Sequence, residues 1–145
     1  MNNKIRTVVG CEDENVANNV ANILEKSNYA DVVWVATDGN EVCQKIISLK
    51  PEAVFMEYNM STMTGLDIMK ETKRQLGNDN IPIFNLFADK MPREEAQKAY
   101  SVIGRKLNAW VEENDEKTLV NVLKQYQDFK KRNNGDLSHF YNKNQ

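Results

Sequence analysis

Short, wholly apolar runs alternate along the chain with longer stretches in which apolar residues recur every three to four positions. Residues 4–10 (KIRTVVG) alternate and then turn apolar, as a first strand does. Cys11-Glu12-Asp13-Glu14-Asn15 follows as an acidic turn with helix-start residues, and Val16, Val20, Ile23 and Leu24 recur at helical spacing to about Lys26. Residues 31–36 (DVVWVA) read as a β-branched, aromatic second strand. Thr37-Asp38-Gly39-Asn40 then caps a helix carrying Val42, Ile46, Ile47 and Leu49, which Pro51 breaks. Residues 53–56 (AVFM) leave no room for a polar face, and Glu57 ends the run on a carboxylate. That is the pattern of a buried parallel strand. Asn59, Ser61, Thr62 and Thr64 supply turn chemistry, and Gly65 opens a helix to about Leu76, stopped by Gly77. A fourth strand is predicted over 81–87 (IPIFNLF), its proline tolerable at the first positions, and a helix with Pro92 in its first turn runs to about Ile103. Residues 107–111 (LNAWV) form the fifth strand, ending on Glu112-Glu113. The last helix, 115–132, sets Leu119, Val122, Leu123, Tyr126 and Phe129 on one face.

Five strands alternating with five helices through short connections specify an α/β architecture: a doubly wound five-stranded parallel sheet, (βα)5. At 145 residues this is one domain, 1–132, followed by a polar tail, 133–145, expected to be flexible. Open sheets of this kind gather chemistry at the carboxyl ends of their strands, so Glu57 lies where a site is sought first. Glu12 and Asp13 follow the first strand and Glu57 the third. In a flavodoxin-like order these strands are neighbours, and the acids would meet in one pocket. Like charges about 5 Å apart repel by roughly 3 kcal/mol at an effective dielectric near 20. Such a pocket requires a divalent cation, a basic partner or a bound proton.

Composition narrows the field further. Apolar residues at 41% and charged residues at 28% are those of a soluble globular protein, and a net charge of −2 gives no general attraction to nucleic acid or an anionic membrane. Lys124, Lys130, Lys131 and Arg132 gather at a helix end, where cations complement the dipole, and read as a solvated terminus. No run approaches a membrane span, and the first residues lack a secretory pattern, so the protein is placed in the cytoplasm. Cys11 and Cys43 read as buried reduced thiols; with one His in the chain, at 139, a zinc site is disfavoured. Met56, Met60, Met63 and Met69 read as packing.

Over about residues 3–130 the chain resembles the receiver domain of two-component response regulators. The likeness lies in order and spacing: the acid pair Glu12-Asp13, the Asp38-Gly39 turn, the strand from Pro51 to Glu57, then Asn59-Met60, Gly65 and the Ile81-Pro82 start of the fourth strand. It implies Mg²⁺-dependent phosphoryl transfer from a histidine kinase to the acceptor position, here Glu57. The ion would be held by Glu12, Asp13, Glu57 and the carbonyl of Asn59. The family's hydroxyl at the end of the fourth strand and lysine at the end of the fifth fall here on Phe87 and on Glu112, or Glu113 if the loop is one residue longer.

These departures remove a hydrogen-bond donor and turn a cation into an anion, two of the three stabilisers of a phosphoryl transition state. The expected function is therefore a stand-alone pseudo-receiver in a bacterial two-component or phosphorelay pathway. It would act by protein–protein contact, without enzymatic activity and without a required cofactor. Its partner would be a histidine kinase, a downstream target or a second copy, met through Tyr100, Trp110 and the face formed by the fourth helix, fifth strand and last helix. Two alternatives stay open: an active regulator phosphorylated on Glu57, and a divalent-metal sensor built on Glu12, Asp13, Glu57 and Glu112. An FMN-binding reading is disfavoured, because the first strand-to-helix loop is acidic where a phosphate would need donors.

Overall fold

The computed structural model describes residues 4–57, 60–77, 81, 83–87, 107–112 and 116–132, and for residues 66, 85, 87 and 107–112 the backbone alone. Along the chain run β1 (Ile5–Gly10), α1 (Glu14–Lys26), β2 (Ala30–Ala36), α2 (Gly39–Leu49), β3 (Ala53–Glu57), α3 (Gly65–Leu76), β4 (Ile83–Phe87), β5 (Leu107–Glu112) and α4 (Glu116–Arg132). The helix expected around 91–103 and the tail 133–145 lie outside the described residues. β4 begins at Ile83, two residues later than the apolar run suggests; Pro82 has no N–H to give to a ladder. All strand pairs are parallel, in the order β2-β1-β3-β4-β5, the flavodoxin-like arrangement.

Helices α1, α2 and α3 start where a side-chain oxygen takes up orphan N–H groups. Asp13 caps α1, accepting from the N–H groups of Asn15 at 2.8 Å and Val16 at 3.3 Å. Asp38 caps α2 through the N–H of Glu41 at 2.8 Å. At α3 the cap is reciprocal: Thr64 Oγ1 accepts from the Asp67 N–H, and the Asp67 carboxylate accepts from the Thr64 N–H. Gly77 ends α3 at φ 74°, a left-handed conformation that costs glycine least.

The pleat sends alternate residues to opposite faces, and the two faces carry different helices. Ile5, Val9, Ala53 and Phe55 join Ala17, Val20 and Leu24 of α1 and Leu119, Leu123, Tyr126 and Phe129 of α4 in one core. Val8, Val54 and Met56 join Val42, Cys43 and Ile46 of α2 and Ile68 of α3 in the other. Phe84 stacks on Phe55, ring centroids 4.7 Å apart, and meets the edge of Tyr126 at 6.1 Å, tying β3, β4 and α4 together. Met60 is buried, and Met63 and Met69 are half-buried against the second core, which is the packing role expected of them.

At the amino ends of the strands a polar clamp closes the sheet. The Arg6 guanidinium donates to the carbonyls of Leu49 at 2.9 Å and Lys50 at 3.1 Å, taking up the C-terminal carbonyls of α2. Glu52 accepts the Arg6 N–H at 3.2 Å and pairs with Lys130 at 2.5 Å, while the Tyr126 hydroxyl donates to the Glu52 carbonyl at 2.6 Å. The basic end of the last helix is therefore more than a solvated terminus: Lys130 fastens α4 to the start of β3.

Candidate functional site

The topology brings β1 and β3 side by side, with Gly10 opposite Met56, so the β1–α1 turn and the end of β3 meet at one rim of the sheet. There the Glu57 carboxylate accepts the main-chain N–H of Glu12, with Oε1 at 2.6 Å. The Glu12 carboxylate in turn accepts the N–H of Ser61, in the loop between β3 and α3. Asp13, the neighbour of Glu12, turns its carboxylate to the first turn of α1. Glu12 and Glu57 are thus brought together, while Asp13 works as a helix cap.

The Mg²⁺ that the resemblance implies would require oxygen ligands converging on one point. Among the described residues, no three His, Cys, Asp or Glu side chains are grouped to hold an ion. Glu12, Asp13 and Glu57 each direct an oxygen to N–H groups, which present positive charge where an ion would present its own. Of the donor set and acidic pocket read from the sequence, the Asn59 carbonyl and the Glu112 side chain lie outside the described residues; Glu12, Asp13 and Glu57 each have one carboxylate oxygen engaged by the backbone. The backbone registers Phe87 with Glu112 at the ends of β4 and β5 and Leu86 with Glu57. The side chains of Phe87, Trp110 and Glu112, and the residues Asn59, Tyr100 and Glu113, lie outside the described residues.

A clamp between the β3–α3 loop and the start of α2 was not legible in the spacing. Thr62 Oγ1 accepts the Asn40 N–H at 2.7 Å and donates to the Asp38 carboxylate at 3.3 Å. Gly39 lies so close to Met63 that a Cβ there would sit 2.3 Å from the Met63 carbonyl oxygen. Only the Asp38-Gly39 and Ser61-Thr62 pairs hinted at it, and both read equally well as ordinary turn residues.

Cys11 and Cys43 are buried and neither forms a disulfide. Burial pushes the Cys43 thiol above its ordinary value, and the nearby Glu71 charge pushes it further the same way. Among the described residues no helix is long and apolar enough to cross a membrane.

Comparison with known proteins agrees with this geometry. The chain is 34% identical over 77 residues to the chemotaxis protein CheY of Thermotoga maritima, covering 53% of this chain and 63% of that one. It is 28% identical over 85 residues to the transcriptional regulatory protein LiaR of Bacillus subtilis, covering 59% and 40%. It thus spans less than two thirds of the length of either relative. Among solved structures it superimposes on the chemotaxis response regulator CheY4 of Vibrio cholerae with a TM-score of 0.68 at 20% identity, covering 84% of this chain and 98% of that one. The response regulator domain of Thermotoga maritima CheB gives 0.71 at 16% identity, covering 86% and 97%. These likenesses establish the fold. The family model described as the response regulator receiver domain matches residues 8–104, more than half of the chain, and with the parallel 2-1-3-4-5 sheet this places the protein in the response regulator receiver domain family.

Proposed function

We propose that this protein is a receiver-type signalling component that works by contact with a protein partner and does not run the phosphorylation cycle of its family. The observation that carries the reading is the position of Glu57. It ends β3 where the family's acceptor stands, and its Oε1 is taken by the Glu12 N–H at 2.6 Å. An acyl phosphate forms when a carboxylate oxygen attacks phosphorus while cations and donors neutralise the equatorial oxygens. Phe87 offers no donor at the hydroxyl position, and Glu112 offers the wrong charge at the lysine position. One unit charge at about 5 Å is worth roughly 3 kcal/mol at an effective dielectric near 20. That is about a hundredfold in rate.

The reading is a non-enzymatic, cytoplasmic protein that requires no metal and whose output is recognition by a histidine kinase, a downstream target or a second copy. Tyr100, Trp110 and the fifth strand are the surface we assign to that contact. Incubation with acetyl phosphate and Mg²⁺, followed by intact-mass measurement, tests it. The mass is expected to stay unchanged. A stoichiometric gain of one phosphate that disappears in Glu57→Gln would overturn the proposal in favour of an active regulator.

A further inference from the structure

Trp34 is the exposed large apolar side chain among the described residues, 38% accessible on the outer strand β2. Its surroundings are not loose. The indole Nε1–H donates to Glu41 Oε2 at 3.0 Å, and the Lys45 ammonium lies 3.7 Å over the ring centroid, a cation–π contact. Glu41 also accepts the Thr37 N–H at 3.1 Å, and its own N–H goes to the Asp38 carboxylate at 2.8 Å. Asp38 accepts from Thr62, whose neighbour Ser61 donates to Glu12, whose N–H donates to Glu57. A path of hydrogen bonds, linked covalently through Glu12, the Ser61–Thr62 peptide and Glu41, therefore runs from the end of β3 to the exposed indole by way of the β3–α3 loop and the start of α2.

We infer that this path couples the Glu57 carboxylate to the presentation of Trp34, so that β2 and α2 form a second face of the molecule responsive to the state of the strand-end pocket. Two features make the link mechanical. The loop is held at two successive residues, at Ser61 by Glu12 and at Thr62 by Asp38 and Asn40. At the next residue, Met63, it abuts Gly39 backbone to backbone, with no side chain to absorb a displacement. Loss of the Glu57 oxygen releases the Glu12 N–H and with it the position of the Glu12 carboxylate on Ser61. The loop then shifts against α2, and Asp38, Glu41 and the indole follow. Coupling of this kind is reciprocal, so perturbing the Trp34 end must be felt at Glu12. It concerns contacts inside the folded chain and goes beyond the proposal above: a phosphate gain in the mass measurement would leave it standing, and its own failure would leave the functional reading untouched.

The test is ¹H–¹⁵N NMR of the full chain carrying Trp110→Phe, which leaves the Trp34 indole as a single reporter. Glu57→Ala is expected to shift both the Glu12 amide and the Trp34 indole N–H resonances, whereas Glu57→Gln, which keeps an acceptor oxygen, leaves the indole in place. In a Thr62→Val background Glu57→Ala is expected to move the Glu12 amide alone. An indole that stays put while the Glu12 amide moves in Glu57→Ala refutes the coupling. An indole shift that survives Thr62→Val refutes this route for it. Should Glu57→Ala not fold, the single Thr62→Val variant decides: it must shift the Ser61 amide and the indole together, and movement of only one rejects the inference.

Discussion

Gly39→Ala is the substitution for which two familiar effects pull in opposite directions. Gly39 is the first residue of α2 and its backbone lies outside the left-handed region, so alanine can adopt its conformation. Propensity alone favours alanine by about 1 kcal/mol in a helix interior, and by less at the first position. Packing opposes it. The new Cβ would lie 2.3 Å from the carbonyl oxygen, 2.8 Å from the nitrogen and 3.0 Å from the carbonyl carbon of Met63. These are main-chain atoms of a loop fastened on both sides, so no rotamer change relieves the clash. Overpacking of this kind costs about 1–3 kcal/mol. If the loop retreats instead, the 2.7 Å bond from Asn40 to Thr62 is lost, at about 0.5–1.5 kcal/mol. The clash outweighs the propensity, and a net loss of about 0.5–2.5 kcal/mol is expected. For a chain of this length that lowers Tm by roughly 2–8 °C. Thermal and urea unfolding followed by circular dichroism measure it, with Gly77→Ala as the contrast. No atom lies within 4 Å of a Cβ at Gly77, so only the left-handed backbone is penalised there, at about 1–2 kcal/mol. A Gly39→Ala protein as stable as the parent, or more so, would show that α2 and the loop are not in backbone contact, and the path to Trp34 would lose its mechanical basis.

Two further outcomes follow from the structure. Glu52→Ala removes both the Lys130 pair and the acceptor for the Arg6 N–H; a destabilisation of about 1–2 kcal/mol is expected in urea. Glu52→Gln should keep part of it and lose its salt dependence, and identical losses in the two variants would deny the ion pair any role. The raised Cys43 pKa means that the folded state holds its proton to higher pH than the unfolded chain does. The stabilisation is therefore complete below the ordinary value of 9.0 and fades as pH rises through the folded one. Unfolding titrations between pH 7 and pH 11 should show a decline that Cys43→Ala reduces, and an unchanged slope would contradict it.

Much of this molecule was legible before any coordinates. Element type and order follow from periodicity, because a strand buried on both faces admits no polar residue and a two-faced helix needs one every few positions; Ala53–Glu57 and Glu116–Arg132 are the plainest cases. The parallel sheet follows from the alternation, and the acceptor-like place of Glu57 from where its strand stops. What a linear pattern does not carry is the direction of a charged side chain at a strand end. Glu12, Asp13 and Glu57 share a rim because strands β1 and β3 are neighbours. Whether they face an ion or the backbone is decided by which N–H groups the turns leave unsatisfied within reach, and that is a property of the folded loops. Asp13 goes to the first turn of α1, Glu57 to Glu12 and Glu12 to Ser61. The Gly39–Met63 approach and the path to Trp34 belong to the same class. They join residues distant in sequence through polar atoms that any turn could have used locally, so only the tertiary structure selects their partners.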